Sequence, residues 1–219
     1  MPKIVAVVPT LNEERGLPAV IAGLKAQHVD EIVVVDGNST DKTQEIARRN
    51  GCTLILQDGK GKGAGFKSFL AKYALRDDDY YVMLDGDASY ASEDLPKITA
   101  LLDAGNDVVS GSRQLHLTTI RDAYHNLGNY LISTLFSLLF WRVADVCTGY
   151  WGFKGSALKK LAITADSFDL EADLLTQTMR QGLRFKVTPV TYSPRLGESK
   201  LTARHGVKIV KKLVKGRFA

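Results

Sequence analysis

Cysteine is nearly absent: Cys52 and Cys147 are the two in a chain of 219 residues. They lie far apart with no partner motif, so neither a disulfide framework nor a cysteine zinc site follows. A reducing cytosol is the simplest setting. The four histidines, His28, His116, His125 and His205, have no metal-ligand spacing. A long hydrophobic run is missing as well. The longest uncharged stretch near mid-chain is Asn126–Trp141, 16 residues, short of the roughly 20 that a membrane-crossing helix needs. No apolar leader precedes the strand-like sequence at Ile4, and no signal peptide is expected. Linkers rich in Pro, Gly or Ser, internal repeats and low-complexity tracts are also lacking. One domain spanning 1–219 is the expectation.

Acid is lacking in one place. From Lys200 to Ala219 there are seven basic residues and no Asp or Glu, within a net charge of +5. Without those seven the chain carries −2. The basic character therefore belongs to the tail. That argues against a general nucleic-acid-binding surface and for one localised anionic partner.

What is present first is alternation. Ile4–Val8, Ile32–Val35, Thr53–Leu56, Tyr80–Leu84 and Asp107–Val109 read as buried strands. Leu17–Ala26, Asp41–Asn50, Ala64–Leu75 and Glu93–Asp103 have helical spacing, with starts at Thr40-Asp41 and Ser92-Glu93. The pattern predicts an α/β fold with a mainly parallel central sheet flanked by helices. The second half adds helices at Leu127–Trp141, Ser156–Leu161 and Leu170–Gln181, a strand at Phe185–Tyr192, and a basic helix from about His205.

Polar residues gather where the strands end. Strand one runs into Pro9-Thr10-Leu11-Asn12-Glu13, strand two into Asp36-Gly37-Asn38-Ser39-Thr40-Asp41, and strand four into Asp85-Gly86-Asp87. Ligands of open α/β sheets bind beyond the carboxyl ends of strands. Clustered carboxylates repel one another, and a hard divalent cation such as Mg²⁺ or Mn²⁺ relieves that repulsion. Such a cation is usually held by one or two carboxylates plus substrate phosphates. Gly86 allows close backbone approach. An Asp-Gly-Asp after a strand is also a common turn; the coincidence with Asp36 and Glu13 is what favours a site. The stretch Gly59–Gly65 matches neither a P-loop nor a full G-x-G-x-x-G. Opening a helix, it either offers amides and Lys60 or Lys62 to a nucleotide or is a surface turn.

Together these motifs resemble family 2 glycosyltransferases of the GT-A fold, and within them the polyprenyl-phosphate (dolichyl-phosphate) mannosyl- and glucosyltransferase branch. The resemblance covers nearly the whole chain. It rests on Val7–Glu14, Val35–Thr43, Gly61-Lys62-Gly63, Asp85-Gly86-Asp87, Ser110–Arg113, Asp145–Tyr150, Phe168–Asp173 and Gly197-Glu198-Ser199-Lys200-Leu201. The last three point to the lipid-phosphate branch. It implies a nucleotide-sugar-binding half (1–112), an acceptor half (113–204) and a basic amphipathic tail helix (205–219).

The same resemblance implies that Pro9, Thr10, Glu13, Asp36, Lys62, Asp85 and Gly86 bind the UDP- or GDP-sugar donor. Asp85 and Asp87 are the implied DxD metal ligands, Asp87 the more direct of the two. Arg113 and Lys200 meet phosphates, with Arg121 and Arg195 as further acceptor contacts. Leu11 stands where many relatives carry an aromatic, and Ser89 where mannosyl members often supply Gln. The QxxRW motif of processive synthases is missing, which argues against chain-building.

The implied reaction is direct displacement with inversion. A polyprenyl phosphate acceptor is already anionic and needs no base. A hydroxyl acceptor needs a carboxylate, for which Asp145, Asp169, Glu171 and Asp173 are candidates, Glu171 and Asp173 being equally readable as an acidic first helical turn. In the tail, Val207, Val210, Val214 and Phe218 share a helical face apart from most of the lysines, as on an interfacial helix against anionic lipid. A solvated basic helix is the competing reading. Peripheral attachment to the cytoplasmic face of a membrane is the expected location. A sugar-phosphate nucleotidyltransferase is the nearest rival, disfavoured because it needs a Gly-rich loop with Arg after strand one. A non-enzymatic membrane-binding module leaves the acids at three strand ends without explanation.

Overall fold

The structure, a computed structural model, describes residues 2–113 and 145–196. In chain order its elements are β1 (Ile4–Thr10), α1 (Leu17–Ala26), β2 (Glu31–Asp36), α2 (Thr43–Arg49), β3 (Thr53–Leu56), α3 (Lys62–Lys72) and β4 (Tyr80–Met83). A 3₁₀ turn (Ser92–Asp94) leads into α4 (Leu95–Asp103), followed by β5 (Val108–Arg113), β6 (Trp151–Lys154), a short α5 (Gly155–Leu158), α6 (Leu170–Arg180) and β7 (Phe185–Val190). The seven strands form one sheet in the order β3-β2-β1-β4-β6-β5-β7. β1 pairs in parallel with β2 and β4, β2 with β3, and β5 with β7; β6 runs antiparallel between β4 and β5.

Period-two alternation divides each central strand between two cores. Val5 and Val7 of β1, with Val33, Val35, Tyr81 and Met83, face Phe66 and Phe69 of α3 and Leu170 and Leu174 of α6. Ala6 and Val8, with Val34 and Val82, face Leu17, Ile21 and Leu24 of α1 and Leu95, Ile98 and Leu102 of α4. A sheet covered on both faces needs apolar side chains at every position, so these strands read as unbroken apolar runs.

The differences from expectation have local causes. The strand expected at Asp107–Val109 continues to Arg113, because Ser110, Gly111 and Ser112 pair with β7 although they are not apolar. β6 was not expected at all. Its Gly152 interrupts the apolar run, and a Cβ there would strike Ile98 of α4, so glycine lets helix and sheet touch. The strand expected at Phe185–Tyr192 ends at Val190, and Tyr192 forms an isolated bridge to Tyr90. The segments expected as helices at Leu127–Trp141 and from His205 lie outside the described residues.

Candidate functional site

Register places the acids. Thr10 at the end of β1 sits opposite Asp36 at the end of β2, and β4 runs parallel on the other side of β1 into Asp85-Gly86-Asp87. Thr10 joins the two sides. Its hydroxyl donates to Asp36 Oδ1 at 3.1 Å, while its methyl lies 2.7 Å from where a Cβ on Gly86 would stand. The three aspartates therefore share one rim of the sheet.

Most polar groups of the first two loops bind each other. Asn12 N–H donates to Ser39 Oγ, and Thr40 N–H returns a bond to Asn12 Oδ1, both at 2.8 Å. Glu13 N–H donates to Thr43 Oγ1, Glu14 N–H to Asp41 Oδ2, and Lys42 N–H to Glu14 Oε2. Asn12 and Asn38 take the left-handed conformation (φ 53° and 62°) that lets each loop turn back on its neighbour. Asp36 is fully buried and accepts four bonds: from Thr10 Oγ1, Ser39 Oγ, Ser39 N–H and Gln44 Nε2. Expected as a pocket-lining residue, Asp36 is first the knot of this double loop. Pro9 is half-buried beside it, Glu13 is buried, and Leu11 stands 41% exposed at the mouth.

Charges at the other side are paired. Lys62, at the start of α3, places Nζ 2.6 Å from Asp85 Oδ1 and 2.7 Å from Glu171 Oε1 of α6. Burial works to lower the Lys62 pKa, but the fields of Asp85 and Glu171 and the hydrogen bonds to them outweigh it and raise it. Lys62 stays an ammonium. Burial raises the Glu171 carboxyl despite Lys62. The Asp87 Oδ1 accepts from both Ser89 N–H and Oγ, and Arg195 Nη1 lies 3.3 Å from Oδ2. Ser89 thus orients Asp87. Ala88 between them is left-handed (φ 60°) without being glycine, a conformation costing about 1 kcal/mol. Leu196, the last described residue, donates its N–H to Asp87 O.

Several expectations change here. The Gly-rich stretch does not present its amides to an open site: Gly63 and Ala64 N–H donate to the carbonyls of Ser167 and Asp166. Gly61 (φ 99°) must be glycine, since a Cβ would stand 2.5 Å from Asp166 O. Lys62 faces two carboxylates rather than open solvent. Arg113, expected at a phosphate, grips Asp145 through Nε and Nη2 at 2.7 and 2.8 Å and lies over the Tyr192 ring. Of the candidate bases, Asp145 is held by Arg113 and Glu171 by Lys62. Asp173 accepts the Thr164 and Ala165 amides, and Asp169 accepts the Ser167 amide. All four have structural tasks. Arg121 and Lys200 lie outside the described residues.

Gln44 and Tyr90 went unnoticed in the sequence, and Gly149 stood there only as part of the Asp145–Tyr150 motif. Gln44 bonds Asp36 from α2. Tyr90 accepts the Gly149 N–H at 2.6 Å. Gly149 itself packs against the Asp85 carboxylate so closely that a Cβ would overlap it. Nothing local marks these contacts, since each residue meets its partner only through the fold.

Among the described residues, no cluster of three or more His, Cys, Asp or Glu is placed to hold a metal alone. The donor set fits a Mg²⁺- or Mn²⁺-type ion held with substrate phosphates, for which one or two carboxylates suffice. Asp85 and Asp87 are neighbours, and each already has a cationic side chain against it.

Residues 5–162 match the model of glycosyl transferase family 2. The chain belongs to that family. Its seven-stranded, mostly parallel sheet superposes on glucosyl-3-phosphoglycerate synthase of Mycobacterium tuberculosis, crystallised with Mn²⁺, UDP and glucosyl-3-phosphoglycerate. The TM-score is 0.81 over 99% of this chain and 80% of that one. At 20% identity this likeness speaks to the GT-A fold. The dolichyl-phosphate hexose transferase of Haloferax volcanii is 32% identical over 216 residues, 97% of this chain and 92% of that protein. The glycosyltransferase AglJ of the same organism is 29% identical over 189 residues, and the match takes in 85% of this chain and 62% of AglJ. The chain thus spans less than two thirds of that relative.

Proposed function

We propose that this family member is an inverting hexosyltransferase that takes a UDP- or GDP-sugar as donor and a polyprenyl (dolichyl) phosphate as acceptor. The observation that carries the reading is the convergence of Asp36, Asp85 and Asp87 on one rim of three adjacent parallel strands, flanked by Lys62 and Arg195. The knotted loops around Pro9, Thr10, Glu13 and Asp36 form the nucleoside end. Asp85 and Asp87 would hold Mg²⁺ or Mn²⁺, whose chemistry there is to offset charge on the departing diphosphate. Lys62 adds positive charge at the same end, electrostatic preorganisation being commonly the largest catalytic contribution.

An acceptor phosphate oxygen forms its bond to the anomeric carbon as the bond to the diphosphate oxygen breaks. The electron pair leaves with the nucleoside diphosphate, and no proton has to be removed. The engagement of Asp145, Asp169, Glu171 and Asp173 supports an acceptor that needs no base. So does the 32% identity to a dolichyl-phosphate hexose transferase along nearly its whole length. Arg113, Arg121, Arg195 and Lys200 are assigned to the acceptor phosphate, residues 1–112 to the donor half and 113–204 to the acceptor half. The basic tail supports a peripheral position on the cytoplasmic face of a membrane.

A panel of UDP- and GDP-sugars with Mn²⁺, read by thermal shift and then by transfer to a polyprenyl phosphate, tests this. One nucleotide should stabilise the protein selectively, and Asp87→Ala should abolish transfer with the fold retained. Full activity in Asp87→Ala removes the assignment. Pyrophosphate release from a nucleoside triphosphate and a sugar phosphate would favour the nucleotidyltransferase instead.

A further inference from the structure

The donor reading uses the charge of Lys62 but leaves its second carboxylate partner unexplained. Its ammonium touches two carboxylates at once, Asp85 Oδ1 at 2.6 Å and Glu171 Oε1 at 2.7 Å, and its side chain is only 12% exposed. The carboxylates differ. Asp85 is the more open at 29%, on the rim, whereas Glu171 is 9% exposed on α6. A single partner would be enough to keep a buried ammonium stable, and losing its only partner would be costly. Two partners let it give up one.

We propose that Lys62 is an exchangeable counter-cation for Asp85: it neutralises this carboxylate in the donor-free protein and withdraws onto Glu171 when a divalent cation and a nucleoside diphosphate arrive together. The inference rests on the donor reading above. Glu171 is then a positioning residue, acting on the metal carboxylate only through Lys62.

Charge decides the order of binding. Asp85, Asp87 and Glu171 bring three negative charges, and Lys62 and Arg195 bring two positive ones. The cluster as it stands carries −1. A divalent cation alone would take it to +1 in a partly buried place, with both cationic side chains already on the carboxylates it needs. A diphosphate arriving with the cation more than offsets that excess and returns the cluster to net negative charge. Cation alone therefore binds weakly, and cation with nucleotide binds in a coupled manner.

The two ends of the Lys62 bridge give opposite predictions. Lys62→Met removes the competitor and leaves Asp85 open, so Mn²⁺ alone should bind about tenfold more tightly, since a charged hydrogen bond is no longer displaced. The gain that UDP brings to Mn²⁺ binding should shrink by a like factor. Glu171→Gln removes the receiving carboxylate and leaves Lys62 on Asp85, so Mn²⁺ alone should bind more weakly than in the parent. Net charge alone would give the same two signs, so the double variant Lys62→Met, Glu171→Gln, which leaves the cluster's charge unchanged, is the deciding one.

The measurement is free Mn²⁺ by electron paramagnetic resonance, titrated with MnCl₂ with and without UDP, with circular dichroism checking each fold. Should either single variant fail to fold, the double variant Lys62→Met, Glu171→Gln removes both charges together, a milder change. It is expected to bind Mn²⁺ alone more tightly than the parent. If the parent binds Mn²⁺ with UDP but removing Lys62 leaves Mn²⁺ affinity unchanged, the exchange is overturned while the donor reading stands. If the parent binds no Mn²⁺ even with UDP, the donor reading falls, and the exchange with it.

Discussion

At the scale of single residues, much of the motif chemistry goes into holding loops before any ligand is present. Asp36 accepts four bonds with its side chain fully buried, so Asp36→Ala leaves donors from Ser39 and Gln44 facing a cavity. A loss of about 3 kcal/mol is expected in urea unfolding; a loss under about 0.5 kcal/mol would mean that the double loop does not depend on this knot. Gly149 is a different case. A methyl there displaces the Asp85 carboxylate. Gly149→Ala should lower kcat/KM about 100-fold, as a misplaced reacting group does, with far less effect on melting. Activity within twofold of the parent would show that Asp85 tolerates the shift. Cys147 should be inert, because burial pushes its thiol up to about 12. Alkylation at pH 8 should not label it until the protein unfolds.

At the scale of elements, β7 is an edge strand tied down at both ends by carboxylates. Asp107 accepts from the Arg184 amide and guanidinium before the strand, and Asp94 accepts the Thr191 amide after it. Burial tends to raise both pKa values. The bonds to Arg184 for Asp107, and to Lys97 and Thr191 for Asp94, prevail and lower them. A carboxyl lowered on folding stabilises fully above its unfolded value, near 4, and loses that contribution as pH falls through its folded value. Amide exchange in β7 should therefore accelerate below about pH 4, ahead of β1. Asp94→Asn should flatten that dependence; an unchanged profile would assign the acid sensitivity elsewhere.

The strands were legible for a related reason. A sheet covered on both faces imprints apolar runs on β1, β2 and β4, and these are local patterns. β6 left no such trace, since Gly152 exists for its contact with Ile98, about fifty positions earlier in the chain.

At the scale of the molecule, the sheet collects donor chemistry on one rim, and the tail carries an unbalanced positive charge. Among the described residues no helix is long and apolar enough to cross a membrane. Attachment through the tail would rest on surface forces, each basic residue near anionic lipid contributing on the order of 1 kcal/mol. The chain should cosediment with phosphatidylserine vesicles at low salt and release as salt rises. Deleting residues 206–219 should weaken that binding at least about tenfold, given five basic residues in the segment. Absence of binding by the full chain at low salt would remove the interfacial reading and one support for a lipid acceptor.

By itself the sequence determined the alternation of strands and helices, the buried runs, and the arrival of Asp36, Asp85 and Asp87 at strand ends. Each of these depends on neighbours a few positions away. Only the tertiary structure decided who pairs with whom. Lys62 meets Glu171 across 109 positions, Arg113 meets Asp145 across 32, and Gly149 meets Tyr90 across 59. Charge and hydrogen-bond partners act through space over a few ångströms, and the chain's order carries no record of that distance until the sheet has closed.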